Sequence, residues 1–247
     1  MALDGRVVVV TGASRGVGAV LAQVFAEQNA RLGLLARNGE ALTELAESLP
    51  AEAIAVPCDV SDEAAVDAGF KQIAEHFGGV DSVVVNAGIA PPSHKAHKLD
   101  AETWRRVLDV NLTGAFLTAH AAHDHLAASG RGRLVLTSSI MAAQPRRGLS
   151  AYVASKAGIE GLARALAADW AADGICVNAV APGFFDTGLG TAFLESDRLS
   201  EQIRSRTSFG RFGAAPELAA AISFLAGDEA SYVTGQVIPV NGGYGLT

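Results

Sequence analysis

The stretch VVVVTGASRGVG, Val7 to Gly18, decides the fold. Four consecutive valines are stiff at χ1 and pack well on a pleated surface, so they predict a strand. An unbroken apolar run has no polar face, which places that strand in a sheet covered on both sides. Gly12, Gly16 and Gly18 follow in the spacing GxxxGxG. Glycine lets the chain turn sharply and lets a ligand come close to the backbone. The residues after the turn carry apolar side chains at helical spacing and predict a helix over Val17–Gln28. A helix starting on such a turn offers unpaired N–H groups and a partial positive charge to an anion. Strand, glycine turn and helix in this order are the context in which the turn cradles a pyrophosphate. The plainer reading is a tight connection that binds nothing.

The rest of the chain repeats the alternation. Apolar runs recur at Arg31–Ala36, Ala53–Pro57, Ser82–Val85, Leu134–Thr137, Ile175–Val180 and Gln236–Val240. Helical patterns lie between them at Leu42–Leu49, Glu63–Phe77, Glu102–Ala128, Tyr152–Ala172 and Glu217–Ala226. Seven strands alternating with helices predict an α/β fold: one doubly wound domain over residues 1–247, with a seven-stranded parallel sheet flanked by helices. Between Gly183 and Gly213 the alternation stalls, and charged residues fill the middle of the interval. It follows a strand's carboxyl end, where open α/β sheets bind ligands, so residues 184–212 are expected to form a mobile lid over the substrate.

Composition narrows the partners. Nineteen Lys and Arg stand against 26 Asp and Glu, a formal net charge of -7, with no basic block. Nucleic acid and anionic membranes are therefore not expected partners. Two cysteines, Cys58 and Cys176, make no disulfide framework and suit a reducing compartment. The start MALDGRVVVVTG lacks a signal-peptide pattern, and no apolar run reaches about 18 residues. A cytoplasmic protein without a membrane span is expected.

A dinucleotide-binding fold specific for NAD usually carries an acid about 20 residues beyond its glycines, on the ribose 2′-OH. Here the second strand ends LLARN, and Arg37 stands 19 residues after Gly18. A guanidinium would pair with a 2′-phosphate and do little for a bare hydroxyl. Arg15, inside the glycine loop, could reach the same group. NADP(H) is therefore the expected cofactor, with NAD(H) as the alternative. After the third strand, Asp59 could accept from the adenine amino group. After the fourth, the small residues of NAG, Asn86 to Gly88, leave room for the adenine ribose. Either could be plain turn chemistry.

The fifth strand runs into LVLTSSI, delivering Ser138 and Ser139 to the same edge. Thirteen residues on lies Tyr152, and four later Lys156, on one helical face. Upstream, DVNLTG sets Asn111 in the middle of a long predicted helix, where an asparagine is a poor helix former with a polar group to satisfy.

TGASRGVG, CDV, NAG, Asn111, the Ser139–Tyr152–Lys156 set and Pro182–Gly183 occur in this order. Together they closely resemble the short-chain dehydrogenase/reductase family, from Val7 to the VNGG at Val240–Gly243. The resemblance implies a Rossmann fold and hydride transfer between a nicotinamide and a ketone or secondary alcohol. Tyr152 would be the acid or base at the carbonyl oxygen, and Ser139 would hold that oxygen. Lys156 would bind the nicotinamide ribose and lower the tyrosine pKa, and Asn111 would hold a water in a proton relay behind it. Ser138 is less expected, because the family's spacing selects Ser139. The cofactor set would be Gly12, Ser14, Arg15, Gly16, Val17, Gly18, Arg37, Asp59, Val60, Asn86, Ala87, Gly88, Tyr152, Lys156, Pro182 and Gly183. A free phenol titrates near 10. A unit cation about 4 Å away contributes about 4 kcal/mol at an effective dielectric of 20, about three pKa units. That would bring Tyr152 to near 7, where acid–base work is most effective.

Other features read more plainly. His120, His123 and His125 in HAAHDH suit a solvated or interface face, and no metal site is expected. The arginines of PRRG, Arg146 and Arg147, read as solvated turn residues, with contact to an anionic substrate as the other reading. The apolar outer face of Ala154–Ala171 calls for a partner subunit, and the resemblance implies a homotetramer. Within the family the chain resembles 3-oxoacyl-acyl-carrier-protein reductases and, in LLARN, gluconate 5-dehydrogenases. Carrier-protein reductases usually place bases beside the mouth to meet the acidic carrier. Asp173 and Gly130 stand at two such positions here, although Arg131 and Arg133 are close. A non-catalytic dinucleotide sensor is the alternative from another class, but would need no complete Ser–Tyr–Lys set. A dehalogenase-like lyase would need an arginine where Lys156 stands, and there is no GxSxG elbow for a serine hydrolase.

Overall fold

The computed structural model describes residues 2–188, 191–194 and 196–246, with Ala192 and Phe193 described in backbone only. Seven strands form one sheet: β1 Val7–Thr11, β2 Arg31–Ala36, β3 Ala53–Pro57, β4 Ser82–Val85, β5 Arg133–Thr137, β6 Cys176–Pro182 and β7 Val237–Val240. All pair in parallel, in the order β3-β2-β1-β4-β5-β6-β7. The chain winds outward from β1 to β3, then returns to β4 on the other side of β1. That reversal opens a crevice at the carboxyl ends of β1 and β4.

The valine run shows why the sheet is covered on both faces. Successive side chains of a strand point to opposite sides. Val7 and Val9 enter a core with Phe70, Ile73, Leu126 and Leu166. Val8 and Val10 enter a second core with Leu21, Phe25, Leu42 and Ile222. Helices α1 Gly16–Glu27, α2 Gly39–Ser48 and α9 Ala215–Ala226 build the second core; α3 Glu63–Phe77, α5 Gly114–Ala128 and α6 Ser150–Trp170 build the first.

The helix expected over Glu102–Ala128 is interrupted. α4 covers Ala101–Leu108, and a π-helical turn at Asp109–Thr113 precedes α5. The physical reason is Asn111, fully buried in that turn. Its Oδ1 accepts from the Ile89 N–H at 2.8 Å and its Nδ2 donates to the Ile89 carbonyl at 2.9 Å. β6 runs two residues beyond its expected end, because Ala181 and Pro182 pair with Pro239 and Val240. The interval after β6 is not structureless. α7 Thr191–Leu194 and α8 Asp197–Arg204 lie within it, and a bridge between Phe185 and Gly213 ties its ends. Residues 189, 190 and 195 of the expected lid lie outside the described residues. No described helix is long and apolar enough to cross a membrane.

Candidate active site at the carboxyl edge of the sheet

The glycine loop is held in place by the neighbouring strand. Gly12 takes φ +67°, and a Cβ there would lie 2.8 Å from the Ala87 Cα. A Cβ on Gly18 would sit 2.2 Å from the Gly12 carbonyl oxygen. Asn86 braces the turn: its Nδ2 donates to the Thr11 carbonyl at 3.1 Å, and its backbone N–H donates to Thr11 Oγ1 at 3.0 Å. No side chain caps α1, whose N-cap is Arg15. Its first N–H groups therefore face the crevice without a capping acceptor.

The crevice is a cleft of about 1060 Å³. Every residue expected at the site lines it except Gly18 and Asn111, which stand behind its wall. Sequence reasoning missed Ile89, Val110, Thr137, Thr187 and Gly188, which also line it. Ile89 directly follows the NAG motif and Thr137 ends the predicted fifth strand, beside Ser138, so both were one residue from a quoted site position. Thr187 and Gly188 come from the interval after β6, and Gly188 packs over the glycine loop: a Cβ on Gly16 would meet its Cα at 2.9 Å. Arg37 is exposed at the end of β2, where the cleft adjoins a smaller hollow of about 300 Å³ lined also by Arg105 and Arg106. Hydrogen bonds from the Ser61 hydroxyl and N–H lower the Asp59 pKa, with Arg37 adding to them. Burial, with help from Asp59 and Asp62, pushes the Cys58 thiol up to about 11, so that thiol is inert.

At the other end of the cleft, Ser139, Tyr152 and Lys156 come together. Ser139 leaves β5 in extended backbone and caps the short turn Ile140–Ala142, its Oγ accepting from the Met141 N–H at 3.2 Å. Its hydroxyl acts on the Tyr152 hydroxyl, favouring the phenolate. Ser138 points elsewhere, its Oγ on the Lys156 carbonyl and on Glu160. Lys156 is buried, its Nζ donates to the Thr137 carbonyl at 2.6 Å, and it lies 5.7 Å from the centre of the Tyr152 ring. Asn111 Nδ2 also donates to Ser155 Oγ at 3.0 Å, and Ser155 donates to the Tyr152 carbonyl at 2.7 Å.

The electrostatics differ from the sequence-based expectation. Burial raises the Tyr152 phenol above its ordinary value, with the Ser139 hydroxyl pulling the other way. Burial lowers Lys156 to about 8. Lys156 Nζ is aimed at the Thr137 carbonyl, and burial outweighs the pull on the phenol. The pair as it stands keeps Tyr152 protonated, in the form that donates.

Beyond Tyr152 lies an apolar wall. Ile140, Met141 and Tyr244 are buried together, with Leu149, Tyr152, Val153 and Phe184 packed against them. Gln144 Nε2 donates to the Tyr244 carbonyl at 3.2 Å, fastening the chain's last turn to the loop after β5. The other singled-out residues are engaged away from the cleft. His123 bonds Asp124 and Asp173 at 2.9 and 3.1 Å, and His120 and His125 stack on Phe116 and Phe70. Arg131 grips Asp81 at 2.9 and 3.0 Å, and buried Arg133 donates to the Gly227 carbonyl at 3.1 Å, both at the amino edge of the sheet.

Comparison with known proteins finds relatives over nearly the whole chain. The family described as Enoyl-(Acyl carrier protein) reductase matches residues 12–245. A cis-4-hydroxycyclohexanecarboxylate dehydrogenase of Sinomonas cyclohexanicum is 42% identical over 97% of this chain and 96% of its own. A galactitol 2-dehydrogenase of Cereibacter sphaeroides is 40% identical over 98% of this chain and 96% of its own. The solved structure of a 3-oxoacyl-[acyl-carrier protein] reductase from Brucella melitensis with bound NAD superposes with a TM-score of 0.89 at 34% identity, covering 100% of this chain and 93% of that one. Fold and matches together define an oxidoreductase acting on CH–OH or carbonyl groups. The chain belongs to the short-chain dehydrogenase/reductase family.

Proposed function

We propose that this chain is an NADP(H)-dependent oxidoreductase that interconverts a ketone and a secondary alcohol, with Tyr152 as the acid and base. The observation that carries the reading is one cleft with the glycine loop at one end and Ser139, Tyr152 and Lys156 at the other. The residues present fit a dinucleotide. The loop admits no side chain at Gly12 or Gly18, α1 is uncapped, and buried Thr137 Oγ1 on the cleft wall has no partner among the described residues. Gly12, Ser14, Arg15, Gly16 and Val17 would hold the pyrophosphate, and Asp59, Val60 and Asn86–Gly88 the adenosine. Thr137, Lys156, Pro182 and Gly183 would hold the nicotinamide end. When bound, the cofactor supplies or accepts the hydride. Tyr152 gives its proton to the carbonyl oxygen in reduction and takes it from the hydroxyl in oxidation. Ser139 fixes that oxygen, and Lys156 moves closer to full charge once polar groups solvate it. Asn111 holds Ile89 and, through Ser155, the backbone of Tyr152.

Arg37, exposed at the end of β2, supports NADP(H); the solved relative with NAD keeps NAD(H) as the second reading. The interval after β6 serves as the lid, with Thr187 and Gly188 already over the cleft. Named relatives act on a cyclic hydroxy acid, a polyol and a carrier-bound acyl chain. Against the carrier-protein role stand Arg131 and Arg133, tied up at the opposite edge, and Asp173, paired with His123. A complete Ser–Tyr–Lys set speaks against a mere sensor. Exposed Trp104, Phe116, Phe224 and Tyr232 support a homotetramer.

The test is nucleotide oxidation with a panel of ketones. Tyr152→Phe should lower kcat by about 10²–10⁴, the usual weight of a general acid, with NADPH binding by fluorescence within about twofold. A Phe variant with near wild-type kcat removes Tyr152 from its role. NADPH should exceed NADH in kcat/KM by at least about tenfold, a factor equivalent to one charge-assisted contact. The reverse preference removes the argument from Arg37.

A further inference from the structure

The small hollow beside the cleft is walled by charge from two sides. It shares Arg37, Asp59 and Val110 with the cleft, so it opens off the cleft at the end of β2. Its volume of about 300 Å³ equals about ten waters at about 30 Å³ each, room for a phosphate and part of its hydration. The far wall is one stripe of α4. Arg105 and Arg106 stand three and four residues after Glu102, on a shared helical face, and Asp109 at the start of the π-helical turn continues it.

Opposite charges four residues apart ordinarily pair on a helix, here Glu102 with Arg106 and Arg105 with Asp109. Neither pair forms. No ion pair joins Arg37, Arg105 or Arg106 to an acid among the described residues. Elsewhere the chain does pair its arginines. Arg211 bonds Glu217 at 2.8 and 2.7 Å, and Arg131 bonds Asp81 at 2.9 and 3.0 Å. The acid nearest Arg37 is already engaged, since Asp59 Oδ1 accepts from the Ser61 hydroxyl at 2.7 Å and the Ser61 N–H at 3.0 Å. Three exposed guanidiniums thus line one hollow without a carboxylate partner.

A guanidinium offers its donors in a fork that matches a phosphate. We infer that α4 forms the second wall of the 2′-phosphate subsite, with Arg105 and Arg106 on one side of the anion and Arg37 on the other. Glu102 and Asp109, on the same stripe, oppose the anion and set how much of that attraction remains. The assignment rests on the NADP(H) reading given above. It adds that discrimination against NAD(H) is divided between β2 and α4 and is not held by Arg37 alone.

5′-AMP and 2′,5′-ADP differ by the 2′-phosphate, so calorimetry with these two probes isolates the subsite without turnover. The wild type should prefer 2′,5′-ADP by about a hundredfold, about tenfold from each side of the hollow. Arg37→Gln should leave about tenfold, and so should Arg105→Gln and Arg106→Gln combined. Binding of 5′-AMP should stay within about twofold in both, which also reports an intact fold. Glu102→Gln should act in the opposite sense and raise the preference by about two- to fivefold, a gain that the loss of a merely structural residue does not give. A combined α4 variant with the wild-type preference overturns the inference, as does one that weakens both probes alike. A lowered preference in Glu102→Gln also counts against it. If Arg37→Gln loses the whole preference while the α4 variant keeps it, the α4 assignment falls and the NADP(H) reading stands. A wild type that binds the two probes equally defeats the NADP(H) reading, and the hollow then has no phosphate to hold.

Discussion

At the scale of the residue, Lys156 sets the terms. It is buried, its Nζ donates to the Thr137 carbonyl, and burial lowers it from 10.5 to about 8. The unfolded chain therefore holds a proton that the folded chain releases between about pH 8 and 10.5. In that window the unfolded state binds more protons, so this group's contribution to stability rises with pH. Below about pH 8 both states carry the charge, and burying it costs about 3 kcal/mol, at about 1.4 kcal/mol per unit. Lys156→Met should then be more stable than the wild type at pH 7 by up to about 3 kcal/mol, while losing activity. The gain should shrink as pH rises from 8 and vanish above about 10.5. Thermal melts of both proteins from pH 6 to 10.5 read this directly. A constant difference, or a Met variant less stable at pH 7, would mean that the Lys156–Thr137 bond outweighs the desolvation. A site that carries such a cost for a lysine is one where function, not stability, chose the residue.

At the scale of the element, the parallel strands were legible because burial on both faces writes a continuous apolar run, as in Val7–Val10. Tyr152 and Lys156 were legible because helical spacing fixes a shared face. The break at Asp109–Thr113 was not. Its cause, the pairing of Asn111 with Ile89, joins residues 22 apart through a loop with no periodicity of its own. The aromatic wall was equally hidden, since Gln144 and Tyr244 meet across 100 residues. The mid-helix asparagine was the one local sign, a poor helix former that had to be satisfied somewhere. π-turns of this kind tend to sit at functional sites. Asn111→Ala would leave the Ile89 N–H and carbonyl without their partners, at about 1–3 kcal/mol each. A loss of about 2–4 kcal/mol by denaturant titration is expected, together with a fall in kcat larger than any change in cofactor binding. An Ala variant as stable as the wild type would show that packing of α4 and α5 alone holds the turn.

At the scale of the molecule, the sheet divides labour between its edges. The carboxyl edge carries the cleft, while the amino edge is held by buried charge. Arg6, with a side chain only 1% exposed, donates to Ser82 Oγ at 3.1 Å, to the Arg131 carbonyl at 2.6 Å and to Asp228. Asp81 in turn accepts from the Val7 N–H at 2.8 Å and from Arg131. The network joins β1, β4, the turn before β5 and the end of α9, which the hydrophobic cores alone would leave free to slide. Burial lowers the Arg6 pKa and Asp228 opposes that, so the cation persists because it is paired. Removing one partner from a buried network costs about 3–5 kcal/mol. β1 is five residues long, which sets the two edges about 16 Å apart at about 3.3 Å per residue. Arg6→Met should therefore lower Tm by about 6–20 °C for a chain of this size and leave the cofactor Kd of the folded protein within twofold. Gly18→Ala should do the reverse, since a Cβ pressed against the Gly12 carbonyl displaces the loop that faces the ligand and leaves the amino edge intact. Melting curves and cofactor titrations on both variants decide the matter. If Arg6→Met weakened cofactor binding as strongly as Gly18→Ala, the edges would be coupled through β1, and the strand could not be treated as a rigid spacer between stability and chemistry.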